Sequence, residues 1–258
     1  VERFFAAFVT SPKQSDRLFS AGITACALGR HQLQYKPVVQ KRKHSMPESG
    51  SVTSQVVFDL GGVLIDWNPR HLYRKIFGDD ETAMEGFLAE VCSPEWNAQQ
   101  DAGRSFAEAV AEREALYPQH AELIAAYFER WPEMLGGPIE ESVSVLASLK
   151  QAQVPVFALT NWSRETFPFA LERFDFLRWF DGIVVSGEEG LAKPDPQIYR
   201  VLTERYAVVP EQAVFIDDSA ANVDAAHAMG MVGIHFQNDG QLHGQLHELG
   251  VAGLEAGR

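Results

Sequence analysis

The stretch Gln55-Val56-Val57-Phe58-Asp59-Leu60-Gly61-Gly62-Val63-Leu64 decides the reading of this chain. Its opening run is short, apolar and β-favouring, which fits a strand buried on both faces. An acid ends the run at Asp59, and two glycines follow. Glycines there let the backbone turn tightly and bring its N–H and C=O groups close to a ligand. Taken by itself, Asp59 caps the turn as readily as it reacts.

Similar runs lie at 154–159, 182–185, 213–216 and 232–236, with helical stretches between the later ones. This alternation predicts an α/β fold: a doubly wound, Rossmann-like parallel sheet. The gap after the first run is far too long for one crossover helix. Residues 69–138 are therefore predicted as an inserted α-helical cap, leaving 51–68 and 139–258 for the core. Helices are expected over 70–77, 81–91, 105–117 and 121–131, punctuated by Pro94, Gly103, Pro118, Gly136 and Gly137. An insertion just after the first strand sits over the carboxyl ends of the strands, where open α/β sheets bind ligands. It is a candidate lid.

Three further strand ends carry polar groups. Ala158-Leu159-Thr160-Asn161 offers a hydroxyl and backbone N–H groups to an anion, although an N-cap at Thr160 or Ser163 accounts for it equally well. In Gly190-Leu191-Ala192-Lys193-Pro194-Asp195-Pro196, two prolines fix a loop at a helix start, which places Lys193 to pin an anion. Val214-Phe215-Ile216-Asp217-Asp218-Ser219 ends an apolar strand with adjacent acids. Such acids raise each other's pKa unless a cation lies near, and Mg²⁺ prefers carboxylate oxygens. The plainer alternative is an N-cap at Asp217 beside a solvated neighbour.

Asp, Thr, Lys and an Asp pair, in that order at strand ends, converge on one edge of the sheet. In this the chain resembles the haloacid dehalogenase superfamily of hydrolases, over about 55–236. Asp59 matches the nucleophile motif, Thr160 the second, Lys193 the third, and Asp217 with Asp218 the fourth. The insertion resembles the helical cap of the superfamily's first subfamily. Phe58 to Leu64 and Leu159-Thr160-Asn161 resemble the sugar-phosphate phosphatase branch typified by bacterial α-D-glucose-1-phosphate phosphatases. The resemblance implies that Asp59 attacks the phosphorus of a small phosphorylated metabolite, and that water hydrolyses the aspartyl-phosphate. It implies Mg²⁺ held by Asp59, the Gly61 carbonyl and Asp218, with Asp217 in direct or indirect support. Thr160, the Asn161 N–H and Lys193 would bind the phosphoryl oxygens.

Gly61 departs from the pattern. Most phosphatases of the superfamily carry a second Asp there, which protonates the leaving oxygen and later activates water. Three options follow: a leaving group that departs unaided, a substitute acid at Asp66 or Asp101, or slow turnover. Other chemistries share the frame. A 2-haloacid dehalogenase needs no metal and lacks the paired acids. A phosphonoacetaldehyde-type hydrolase needs a cap lysine, and residues 76–149 contain none, with Lys75 at the edge. A non-catalytic phospho-ligand binding protein would keep the fold and lose the chemistry.

The net charge of −13 opposes a nucleic-acid partner, which needs a basic face. No apolar run approaches the roughly 20 residues of a membrane span. Cys26 and Cys92 are too few for a disulfide framework, which fits a reducing cytoplasm. Residues 1–50 are basic, with eight Lys/Arg against three Asp/Glu, and read as a disordered leader or an upstream-called start. Within the insertion, 95–104 mixes Trp96, amides and charges around Gly103. That suits a sugar-like ligand, or else Trp96 packs in the cap's own core. His243 and His247 lack a third metal ligand and read as a solvated helix face.

Overall fold

The computed structural model describes residues 53–254, so the expectations for residues 1–50 lie outside the described residues. The chain runs through β1 (Gln55–Phe58), β2 (Ile65–Trp67), α1 (Arg70–Phe77), α2 (Glu81–Glu90), α3 (Pro94–Asp101), α4 (Phe106–Leu116), α5 (Ala121–Glu129) and β3 (Leu135–Pro138). It continues through α6 (Glu140–Gln151), β4 (Val156–Thr160), α7 (Phe167–Arg173), β5 (Gly182–Val185), α8 (Ser186–Glu189) and α9 (Pro196–Tyr206). It closes with β6 (Ala213–Asp217), α10 (Ala220–Ala228), β7 (Val232–His235) and α11 (Asp239–Glu248).

Five strands form one parallel sheet in the order β5-β4-β1-β6-β7. Strand alternation distributes the core between two helical layers. Val56, Phe58, Ala158 and Ile216 pack with Leu146 of α6 and Leu246 of α11. Val57, Leu159 and Phe215 pack on the other side with Ile198 and Leu202 of α9 and Ala226 of α10. The sheet is thus doubly wound, as expected for strands buried on both faces. From β1 the chain steps outward through β4 to β5, then returns to the far side of β1 for β6 and β7. That reversal opens a crevice beside β1 at the carboxyl ends of the strands.

Two strand boundaries differ from the sequence expectation in a way that matters. β4 starts at Val156, since Pro155 has no N–H to give a ladder. It ends on Thr160, which pairs with Val185. β6 extends to Asp217, which pairs with His235. Both polar residues are therefore held rigidly by sheet pairing rather than by loops.

Helices α1 to α5 all lie between β2 and β3, which pair antiparallel as a narrow ribbon at the base of the insertion. This ribbon and α3 were not expected. α3 is built conventionally: Ser93 Oγ accepts the Trp96 N–H at 3.3 Å, and Pro94 occupies the first turn. Its Trp96 is buried, with ring centroids 5.0 Å from Tyr127 and 6.4 Å from Phe106. Trp96 therefore packs in the insertion's own core, as one of the two readings of 95–104 expects. α5 stops at Glu129, and a 3₁₀ turn over Trp131–Met134 follows, where Pro132 cannot continue an α-helix. Among the described residues, no helix is long and apolar enough to cross a membrane.

Candidate active site

The turn after β1 is fixed by its own backbone. The Asp59 N–H donates to Ile216 O at 2.8 Å, tying it to β6, and the Ile65 N–H returns to Leu60 O at 2.8 Å. Gly62 has φ +74°, a conformation that L side chains rarely adopt. A Cβ there would also collide with the Asp218 carboxylate. The second glycine thus lets Asp218, just after β6, approach the β1 turn.

Asp59, Lys193, Asp217 and Asp218 meet at this edge. Lys193 is buried and lies 3.0 Å from Asp59 Oδ1 and 2.6 Å from Asp217 Oδ2. Asp59 Oδ1 also accepts the Leu60 N–H at 2.7 Å. Both contacts act on the same oxygen, Oδ1. Asp217 is fully buried, and its Oδ1 accepts from the Ser219 N–H at 2.8 Å and from Asn222 Nδ2 at 2.9 Å. Its oxygens are therefore engaged by protein donors, whereas Asp218 is exposed. Asn222 was not singled out in the sequence. It stands three residues after Ser219 in the first turn of α10, a spacing that carries no chemical signature.

Asn161 has a different part from the one expected of its N–H alone. Its side chain accepts the Lys193 N–H at 2.8 Å and donates to Lys193 O at 2.9 Å. This reciprocal pair clamps the Lys193 loop onto the end of β4. Thr160 Oγ1 is buried and, among the described residues, has no hydrogen-bond partner. Such a hydroxyl is costly to leave unpaired unless a ligand completes it.

The local electrostatics follow from three acids around one ammonium. Burial pushes the Asp59 carboxyl up to about 7; Lys193 opposes the rise and the Asp217 charge reinforces it. Burial and the neighbouring Asp217 raise Asp218. Burial alone would lower the Lys193 ammonium, but the charges of Asp59 and Asp217 outweigh it and the net shift is upward. Asp59, Asp217 and Asp218 each offer a carboxylate oxygen, all within 4.8 Å of one another. Among the described residues no other group of three or more His, Cys, Asp or Glu is placed to hold an ion. Three clustered oxygens with surplus negative charge fit a hard divalent cation.

A cavity of about 50 Å³ adjoins this edge, between Gly61, Asn161 and Trp162 of the sheet side and Asn97, Asp101 and Trp131 of the insertion side. Trp67 also lines it. Of the two substitute acids, Asp101 is there and Asp66 is not. Asp66 is exposed and lies 2.8 Å from His71 Nε2. Ser186, missed in the sequence, joins the two sides: its Oγ accepts the Trp162 N–H at 2.8 Å and donates to Asp101 O at 2.5 Å.

Residues 54–230 match the family of haloacid dehalogenase-like hydrolases. The chain belongs to that family and is a hydrolase. It is 30% identical to the sesquiterpene phosphatase astK of Aspergillus oryzae, over 69% of this chain and 87% of that one. It is 28% identical to the phosphorylated carbohydrates phosphatase of Thermotoga maritima, over 78% and 90% of the two chains. Its fold is shared with a HAD-family enzyme of Bacteroides thetaiotaomicron solved as a magnesium complex, at a TM-score of 0.58 and 21% identity, over 76% of this chain and 98% of that one.

Proposed function

We propose that this hydrolase is a Mg²⁺-dependent phosphatase of small phosphate monoesters, with sugar phosphates favoured, and that Asp59 is its nucleophile. The observation that carries the reading is the pairing of Asp59 with buried Lys193 beside Asp217 and Asp218. In it, Asp59 Oδ2 attacks phosphorus while Leu60 N–H and Lys193 hold Oδ1. Thr160 Oγ1 and Lys193 bind the non-bridging oxygens as charge redistributes. Asn161 keeps Lys193 in place through its side chain and offers its N–H to the same oxygens. Asp59, Asp218 and the Gly61 carbonyl would hold the metal, with Asp217 orienting Lys193 and the acid pair. Bound there, Mg²⁺ would shield the nucleophile from the negative charge of the phosphoryl group. Water then attacks phosphorus and releases phosphate and Asp59. Residues 69–138 serve as the cap over this edge.

The acid pair supports a phosphatase over a metal-independent 2-haloacid dehalogenase, and the intact Asp59–Lys193 pair supports an enzyme over a binding module. The two phosphatase relatives differ in substrate by name, one sesquiterpenoid and one carbohydrate. The cavity favours the second. It is small, and Asn97, Asp101 and Asn161 line it beside Trp67, Trp131 and Trp162. Amides and an acid in a small cavity suit hydroxyl groups better than a long apolar chain.

A release assay over sugar phosphates and prenyl phosphates, with Mg²⁺ and with chelator, tests this. Sugar phosphates should be hydrolysed faster, and chelation should stop turnover until Mg²⁺ is restored. Faster prenyl phosphate hydrolysis would overturn the substrate class. Activity undiminished in chelator, or halide release from 2-haloacids, would overturn the phosphatase mechanism.

A further inference from the structure

We infer that Asp101, on the helical insertion, is the proton donor and acceptor that Gly61 cannot be. The inference rests on the phosphatase reading above and supplies the step that reading leaves open.

A Cβ built on Gly61 would meet no other heavy atom within 4 Å, and Gly61 lines the cavity. The space that an acidic side chain at 61 would use is therefore open. Asp101 lines the same cavity from the opposite side. It is held there by two contacts. Asn97 Nδ2 donates to Asp101 Oδ2 at 2.9 Å, and Ser186 Oγ donates to the Asp101 carbonyl at 2.5 Å. Asn97 and Asp101 lie one helical turn apart on α3, so the helix presents both to the cavity together. Ser186 fastens the end of α3 to the sheet side, so the carboxyl is held in the cavity that Gly61 and Asn161 also line.

The protonation state suits the task. Burial pushes the Asp101 carboxyl up to about 7; the Ser163 N–H opposes the rise and the Asp59 charge adds to it. Both forms are thus available near neutrality, as acid–base catalysis requires. The remaining acid of the sequence reading, Asp66, is paired with His71 and exposed.

Asp59 Oδ2 forms a bond to phosphorus as the bond from phosphorus to the leaving oxygen breaks, and that oxygen takes the Asp101 proton, leaving as an alcohol. Asp101, now a carboxylate, takes a proton from water as the water oxygen bonds to phosphorus. The bond from phosphorus to Asp59 breaks, phosphate departs, and Asp101 is again protonated. The net change is ester plus water to alcohol plus phosphate.

The test compares leaving groups in the Mg²⁺-loaded full chain. para-Nitrophenyl phosphate needs no proton to depart; a hexose carrying its phosphate on a primary alcohol does. In Asp101→Asn, hexose phosphate hydrolysis should fall by about 10²–10⁴-fold. The nitrophenolate burst should keep its rate within about threefold, with slow steady-state turnover because water lacks its base. Gly61→Asp in the Asp101→Asn background should restore at least about tenfold of the loss, since the added side chain has room and replaces the acid. Equal losses of burst rate and hexose phosphate turnover would mean a structural role and overturn the inference. So would undiminished hexose phosphate turnover, failure of Gly61→Asp to rescue, or wild-type protein that releases nitrophenolate yet cannot hydrolyse the alkyl ester. Wild-type protein that turns over neither ester would overturn the phosphatase reading itself, and the inference with it.

Discussion

Asn in place of Asp59 should end turnover, by at least about 10⁴-fold in kcat, because no other group can form the bond to phosphorus. The amide keeps the shape of the carboxyl, and its oxygen can still accept the Leu60 N–H. It lacks the charge and the lone-pair availability that attack requires. The same change should not weaken the fold. The Asp59 carboxyl is raised to about 7, chiefly by burial. A group raised in the folded state contributes stability below its unfolded pKa and loses it as pH rises through the folded value. The wild-type protein therefore carries a penalty above about pH 7 that the Asn variant escapes. Urea unfolding in chelator should show the variant at least as stable as wild type near pH 8. A variant that is both inactive and much less stable would show that the loss of activity reflects misfolding.

Lys193→Met should fail in both respects. The ammonium is fully buried between Asp59 and Asp217. Removing one partner of a buried charge cluster leaves the others unpaired and costs about 3–5 kcal/mol. Turnover should fall by about 10²–10³-fold or more, since a donor to the phosphoryl oxygens is lost. The penalty should depend on pH. Without the ammonium, the Asp59 carboxyl rises above about 7, so the variant loses more stability near pH 8 than near pH 5. Wild-type Lys193 is raised in the folded state, so its own contribution persists through neutrality and is lost only at alkaline pH. Unfolding curves for both proteins at the two pH values check this. Equal stability of variant and wild type at both would show that Lys193 does not neutralise the acids.

Most of the fold was legible because the inner strands bury both faces, while β7 at the edge leaves Val232 and His235 exposed. The runs at 55–58, 182–185 and 213–216 therefore carry a signal that needs no partner to interpret. The site was legible for a related reason: chemistry at strand ends is anchored to that signal. The ribbon of β2 and β3 was not, since three or four residues with mixed burial show no period. α3 could have been found from Ser93-Pro94, a cap followed by a helix-starting proline. It was obscured by the polar residues that follow. Trp96 and Asp101 lie on that one helix, yet one is core and the other faces the cavity. Only the packing against Phe106, Tyr127 and Ser186 separates them. Asn161 illustrates the same limit, since its clamp on Lys193 spans 32 positions and depends on two loops meeting.

The most direct test of the central claim is to trap the phosphoryl group on Asp59. Enzyme and substrate are mixed in the presence of Mg²⁺, quenched in acid within the first turnover, reduced with borohydride and mapped by peptide mass spectrometry. An aspartyl-phosphate reduces to homoserine, so the account predicts homoserine at position 59, appearing only with substrate and absent in Asp59→Asn. Phosphate release with Asp59 unmodified at every quench time, or the phosphoryl group found on another residue, would contradict it.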